Sequence, residues 1–164
     1  MDAQKKVEIL RLLEQDGRLS PAQIAPMVGE TADAVAAAIR DLQDQRILMQ
    51  YTALVDWDRL LDDRVSAVID VKITPQRDTG FDRLAERIAR FPEVRSCYLM
   101  SGTYDLSVEV QGASLKEISR FVSDKLSAMD GVYSTTTHFV MKRYKHDGVA
   151  FGDGDADERL AVTP

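Results

Sequence analysis

The stretch RVSAVIDVKI, residues 64–73, places the tightest constraint on the fold. Val65, Ala67, Ile69, Val71 and Ile73 occupy every second position, with Ser66, Asp70 and Lys72 among the residues between them. A strand sends successive side chains to opposite faces, so this alternation predicts a strand with one face toward a core. Its backbone donors and acceptors then need neighbouring strands.

The following sequence supplies them in order. A helix is expected over 78–91, with Phe81, Leu84, Ala85 and Ile88 aligned, Pro75 and Gly80 in the loop before it and Pro92 ending it. Strands are expected at 94–101 and 106–111, joined by the tight turn Gly102-Thr103-Tyr104-Asp105. Ser114 caps a second helix with Leu115, Ile118, Val122 and Leu126 on one face. Glu117 completes the capping box and Gly131 stops the helix. Residues 132–144 form the fourth strand. The order βαββαβ is the split βαβ arrangement of a ferredoxin-like domain. Two helices cover one face of such a sheet. The other face, mixed in polarity through Ser134, Thr136 and His138, is expected to meet a second copy.

The first fifty residues have a different period. Val7, Ile9, Leu10, Leu12 and Leu13 lie at helical spacing until Asp16-Gly17-Arg18 breaks the run. Ser20-Pro21-Ala22-Gln23 starts a second helix, kept short by Pro26 and Gly29. Thr31 caps a third helix running to about Gln45, with Val35, Ala38, Ile39 and Leu42 on one face. Two extended pieces, 47–50 and 52–56, suit a small wing or linker strand. The whole is expected to be α+β: an N-terminal winged helix-turn-helix, residues 1–50, then a linker at 51–64. A ferredoxin-like βαββαβ domain at 65–145 and an acidic, flexible tail at 146–164 complete it.

Charge narrows the partners. The net charge is −6, and residues 1–50 hold six Lys/Arg against eight Asp/Glu. Nucleic-acid binding must therefore come from a local patch. The single cysteine, Cys97, excludes an internal disulfide framework and is expected to be a buried strand thiol. No apolar run approaches a membrane span and the N-terminus lacks a signal core, so a cytoplasmic protein is expected. With His138 and His146 far apart, no metal ligand set, catalytic triad or phosphate loop is visible, and no cofactor is expected. Lys142, Arg143 and Lys145 form a small basic run, read as a solvated edge.

Several motifs together resemble the Lrp/AsnC (feast–famine) transcriptional regulators over residues 3 to about 145. They are ILRLLEQDGRLS at 9–20, the third helix ending in RDLQDQ, the linker YTALVD at 51–56, and Gly102-Thr103-Tyr104-Asp105 before an apolar strand. The resemblance implies a DNA-binding domain joined to an effector-binding (RAM-type) domain. It also implies homodimers assembling to tetramers or octamers, with an amino acid or similar metabolite bound between dimers. Carried over, the effector site is Gly102, Thr103, Tyr104 and Asp105, with Ser134, Thr135 and Thr136 as candidate hydroxyl donors. Gly102 would permit close backbone approach, and Asp105 would accept from an α-ammonium group.

The third helix departs from the family pattern. Its commonly basic run is Ala36-Ala37-Ala38, and Asp33, Ala37, Arg40, Asp41 and Asp44 form the outward stripe. Candidate DNA contacts are Lys5, Lys6, Arg18, Thr31, Asp33, Ala37 and Arg40. Phosphate contacts from Lys and Arg supply most non-specific affinity, so binding to double-stranded DNA is expected to be weak and dependent on avidity. The alternative is a ligand-sensing partner protein whose helix-turn-helix no longer binds DNA. An enzyme related to sirohaem decarboxylases or cofactor-free oxygenases is a more distant one.

Overall fold

The computed structural model describes residues 1–60, 64–74 and 81–151. The chain divides into two compact units between Val55 and Asp56.

The first unit has three helices: α1 (Ala3–Gln15), α2 (Pro21–Val28) and α3 (Ala32–Asp44). Asp2 starts α1, its carboxylate accepting from Lys5 N at 2.8 Å. Ser20 starts α2, where Gln23 Oε1 accepts from the Ser20 amide at 2.9 Å and from its hydroxyl at 2.8 Å. Pro26 lies within α2, which ends at Gly29 in the left-handed conformation (φ 63°) that favours glycine. Thr31 starts α3, its hydroxyl oxygen accepting from Ala34 N at 3.2 Å. Ile9, Leu13, Ile24, Val28, Val35, Ala38 and Ile39 close one core, with Leu12, Leu19 and Leu48 packed around it.

Neither extended piece expected as a wing or linker strand, 47–50 or 52–56, is a strand. A strand is stable only where its backbone groups meet a partner. Ile47 N and Leu48 N instead donate to Leu42 O, at 2.9 and 3.1 Å, folding the chain back onto the end of α3.

The second unit opens with a 3₁₀ turn at Trp57–Leu60, where Arg64 lies over the Trp57 ring at 4.4 Å. It continues as β1 (Val65–Ile73), α4 (Asp82–Ala89), β2 (Val94–Leu99), β3 (Leu106–Gly112), α5 (Leu115–Arg120) and β4 (Val132–Phe139). The antiparallel sheet has the order β2-β3-β1-β4, as the βαββαβ reading requires. The helix expected from 78 begins at Asp82; residues 78–80 lie outside the described residues. Strand β2 stops at Leu99 and β4 at Phe139, both short of their expected ends.

Beyond Arg120 the helix widens: Phe121–Leu126 is π-helical, and Ser127 N donates to Val122 O at 2.8 Å, five residues back. Ser114 Oγ accepts from Glu117 N at 3.2 Å. The reciprocal bond of the expected capping box goes one residue further out, from Ala113 N to Glu117 Oε2 at 2.6 Å. The alternate residues of β1 and β3, from Ala67 to Ile73 and Leu106 to Val110, are buried under Leu84, Ile88, Ile118, Phe121 and Leu126 of the helices. Burying each of the Val, Ile, Leu and Phe side chains among them contributes about 1.5–3 kcal/mol. Cys97 sits half-buried at this face, and burial pushes its thiol pKa up.

The tail expected from 146 onward starts with order. Lys145–His146 pairs antiparallel with Val149–Ala150 as β5 and β6, across Asp147 (φ 45°) and Gly148 (φ 80°). Two successive left-handed residues are what a two-residue hairpin turn demands, and Asp-Gly supplies them at low cost. Residues 152–164 lie outside the described residues.

Candidate functional site

In the first unit, three of the expected DNA contacts are already engaged by acids. Lys5 pairs with Glu30. Lys6 Nζ donates to Asp41 Oδ2 at 2.6 Å. Arg18 grips Asp16 through Nε and Nη2, both at 2.9 Å, and these bonds bring the Asp16 pKa down to about 2. Hydrogen bonds from Lys6 and then Gln45 likewise hold the Asp41 carboxyl below its ordinary range. Asp41, on the outward stripe, is thus paired by Lys6 of α1. The stripe is less repulsive than the sequence implied, and Lys6 is less available.

Thr31, Asp33, Ala37 and Arg40 are exposed along α3. Thr31 also serves as the cap. Among the described residues of this unit, the cations without an acidic partner are Arg11, Arg40 and Arg46. Arg46 adopts a left-handed backbone (φ 55°) just past α3. Neither Arg11 nor Arg46 is among the DNA contacts expected from the sequence. The usable signal was their helical position: Arg11 falls outside the apolar stripe of α1, and Arg46 lies beyond the last turn of α3.

In the second unit, the turn at 102–105 closes the end of the sheet. Asp105 N donates to Val71 O at 3.0 Å, Met100 N donates to Asp105 O at 2.8 Å, and Asp105 Oδ2 accepts from Ile73 N at 2.8 Å. Strand β3 begins only at Leu106, so the Asp105 carboxylate stands in for the carbonyl that another β3 residue would bring to Ile73. One of its oxygens is therefore committed to the fold, not free for a ligand as expected. Gly102 has no left-handed φ, and a Cβ there would meet nothing within 4 Å. Neither its own backbone nor its own packing requires glycine.

Tyr104 and Thr136 come together, their hydroxyl oxygens 3.0 Å apart. Strand alternation puts Ser134, Thr136 and His138 on the sheet face opposite the helices, with Asp70 and Lys72 of β1. His138 Nε2 lies 3.2 Å from Asp70 Oδ2. Thr135 faces the other way, 3.3 Å from Ser127 Oγ, and leaves the candidate hydroxyl set. Thr103 is exposed. Lys72, not among the candidate site residues of the sequence, pairs in register with Ser134 and offers an exposed cation on the same face.

Residues 7–43 match the AsnC-type helix-turn-helix domain, and residues 66–150 match the Lrp/AsnC ligand binding domain. The chain belongs to the Lrp/AsnC family. It is a DNA-binding transcriptional regulator of that type. It is 50% identical, over 98% of both chains, to a protein of Bacillus subtilis (strain 168) named an uncharacterized HTH-type transcriptional regulator, YugG. It is 30% identical to the Bkd operon transcriptional regulator of Pseudomonas aeruginosa, over 83% of this chain and 88% of that one. Among solved structures, a transcriptional regulator of Neisseria meningitidis in complex with L-Met superposes with a TM-score of 0.69 at 26% identity, covering 93% of this chain and 96% of that one. As an Lrp/AsnC protein, the chain devotes its first unit to the helix-turn-helix and its second to the α+β ligand-binding domain. No helix among the described residues is long and apolar enough to cross a membrane.

Proposed function

We propose that this Lrp/AsnC regulator binds an amino acid or a similar small metabolite at the Gly102–Asp105 turn, in a cleft completed by a second dimer of a homo-oligomer. The carrying observation is the open space over Gly102, a glycine that neither its conformation nor its own protomer demands. Close approach by something outside the protomer is the remaining physical reason for it. The L-Met complex of the Neisseria regulator supports an amino acid as the ligand class. Backbone amides at the turn and the Lys72 ammonium suit a carboxylate, the free oxygen of Asp105 suits an α-ammonium, and Tyr104 with Thr136 and Ser134 supplies hydroxyls. Ligand binding alters the spacing of the DNA-binding heads only if the ligand prefers one assembly state.

DNA affinity per head is low, since few cations of the first unit stand free, and assembly raises it through avidity. Titration calorimetry with the standard amino acids tests the effector site, with L-methionine first. A ligand bound by the wild type and lost in Gly102→Arg is expected; the substituted side chain enters open space, so folding should survive. Unchanged affinity in Gly102→Arg would remove the turn from the site. Anisotropy of a labelled fragment from upstream of the chain's own gene, with Arg40→Ala alongside, tests the DNA half.

A further inference from the structure

We propose that the basic run Lys142-Arg143-Lys145, held by the β5–β6 hairpin, is a second DNA contact that binds the phosphate backbone independently of the helix-turn-helix. Among the described residues, none of these three cations has an acidic partner, whereas half of the cations in the first unit do. Lys142 instead lies 4.9 Å from the Tyr144 ring and Arg143 lies 5.6 Å from the Phe151 ring. An aromatic face orients a cation and leaves its outer side charged.

The hairpin ties down the end of the run. Lys145↔Ala150 and His146↔Val149 pair across the two-residue turn, and Phe151 N donates to Tyr144 O at 2.9 Å. The run leads into the hairpin and gathers the exposed Lys142 and Lys145, the half-buried Arg143 and a largely exposed Tyr144, which suits phosphate oxygens with sugar or base edges beside them. The regulator needs such a supplement: its α3 displays Arg40 with Asp33 and Asp44, so the phosphate term must come partly from elsewhere.

The test uses the full chain and a mixed-sequence duplex of about 60 base pairs, with affinity measured across a salt series. Each lost phosphate contact flattens the slope of log K against log salt by about 0.9. The triple variant Lys142→Ala/Arg143→Ala/Lys145→Ala is expected to flatten it by about 2 to 3 per bound chain. Lys142→Arg/Lys145→Arg should keep the wild-type slope. Arg40→Ala should add a separate loss to that of the triple variant. A wild-type slope in the triple variant overturns the proposal. So does an equal loss in the charge-preserving variant, which would make the role structural. A third arm replaces Asp153, Asp155 and Asp157 with Asn and Glu158 with Gln. If that variant gains affinity while the triple variant keeps the wild-type slope, the run serves the chain's own acidic tail and not DNA.

Discussion

Asp105 Oδ2 accepts the backbone N–H of Ile73 at 2.8 Å, finishing the β1–β3 ladder where β3 has not yet begun. The bond is part-buried, so removing the acceptor strands an amide. Asp105→Ala is expected to destabilise the second unit by about 1–3 kcal/mol, while Asp105→Asn, which keeps a carbonyl oxygen, costs less. Urea unfolding of both variants checks the order. Equal stability of Asp105→Ala and wild type would show the bond to be dispensable. The same bond makes Asp105→Ala a poor probe of the effector site, because lost binding would not separate from lost structure.

Tyr104 is the cleaner probe. Tyr104→Phe removes only the hydroxyl that meets Thr136 at 3.0 Å. The stability cost should be about 0.5–1.5 kcal/mol. Effector affinity should fall by about tenfold if that hydroxyl also reaches the ligand, since tenfold corresponds to about 1.4 kcal/mol. Calorimetry on Tyr104→Phe and Thr136→Val reads both effects. Wild-type affinity in both variants would separate this pair from the ligand.

The Asp16–Arg18 pair predicts a pH signature. Hydrogen bonds from Arg18 lower the Asp16 pKa to about 2 from an ordinary value of 3.8. A carboxyl depressed in the folded state stabilises fully above its unfolded pKa. That contribution is lost as pH falls from the ordinary value through the folded one. A side-chain carbon NMR titration should place the Asp16 midpoint near 2, and Arg18→Ala should return it to about 4. A midpoint already near 4 in the wild type would mean Arg18 is free in solution.

Ala37 tests whether lost cations limit DNA binding. It is exposed on α3, so Ala37→Lys should change stability by no more than about 0.5 kcal/mol. It should also steepen the salt dependence of DNA affinity by about 0.9 per chain. Asp16→Asn should act in the same direction by releasing Arg18. Anisotropy across a salt series measures both. No change with Ala37→Lys would place that side of α3 away from phosphate.

The one-dimensional pattern determined a great deal. Alternation from Val65 to Ile73 and the 3.6-residue stripe Val35, Ala38, Ile39, Leu42 each fix which side of an element is buried, because periodicity follows from backbone geometry alone. The caps at Ser20, Thr31 and Ser114, and the stop at Gly29, act over three or four residues and were equally legible. The candidate turn at 102–105 was found by its motif, and its neighbours on β4 were assigned only by strand identity.

Tertiary structure decided what each of those residues is free to do. Lys6 meets Asp41 across 35 positions, and Asp105 meets Ile73 across 32. Such pairings depend on how elements pack and where a ladder ends, which a local pattern does not encode. Alternation already put Thr136 and Thr135 on opposite faces; only packing shows that Thr136 meets Tyr104 and Thr135 meets Ser127. The wing or linker strand is absent for the complementary reason: extended propensity at 47–56 makes no strand until backbone groups elsewhere are placed to pair with it.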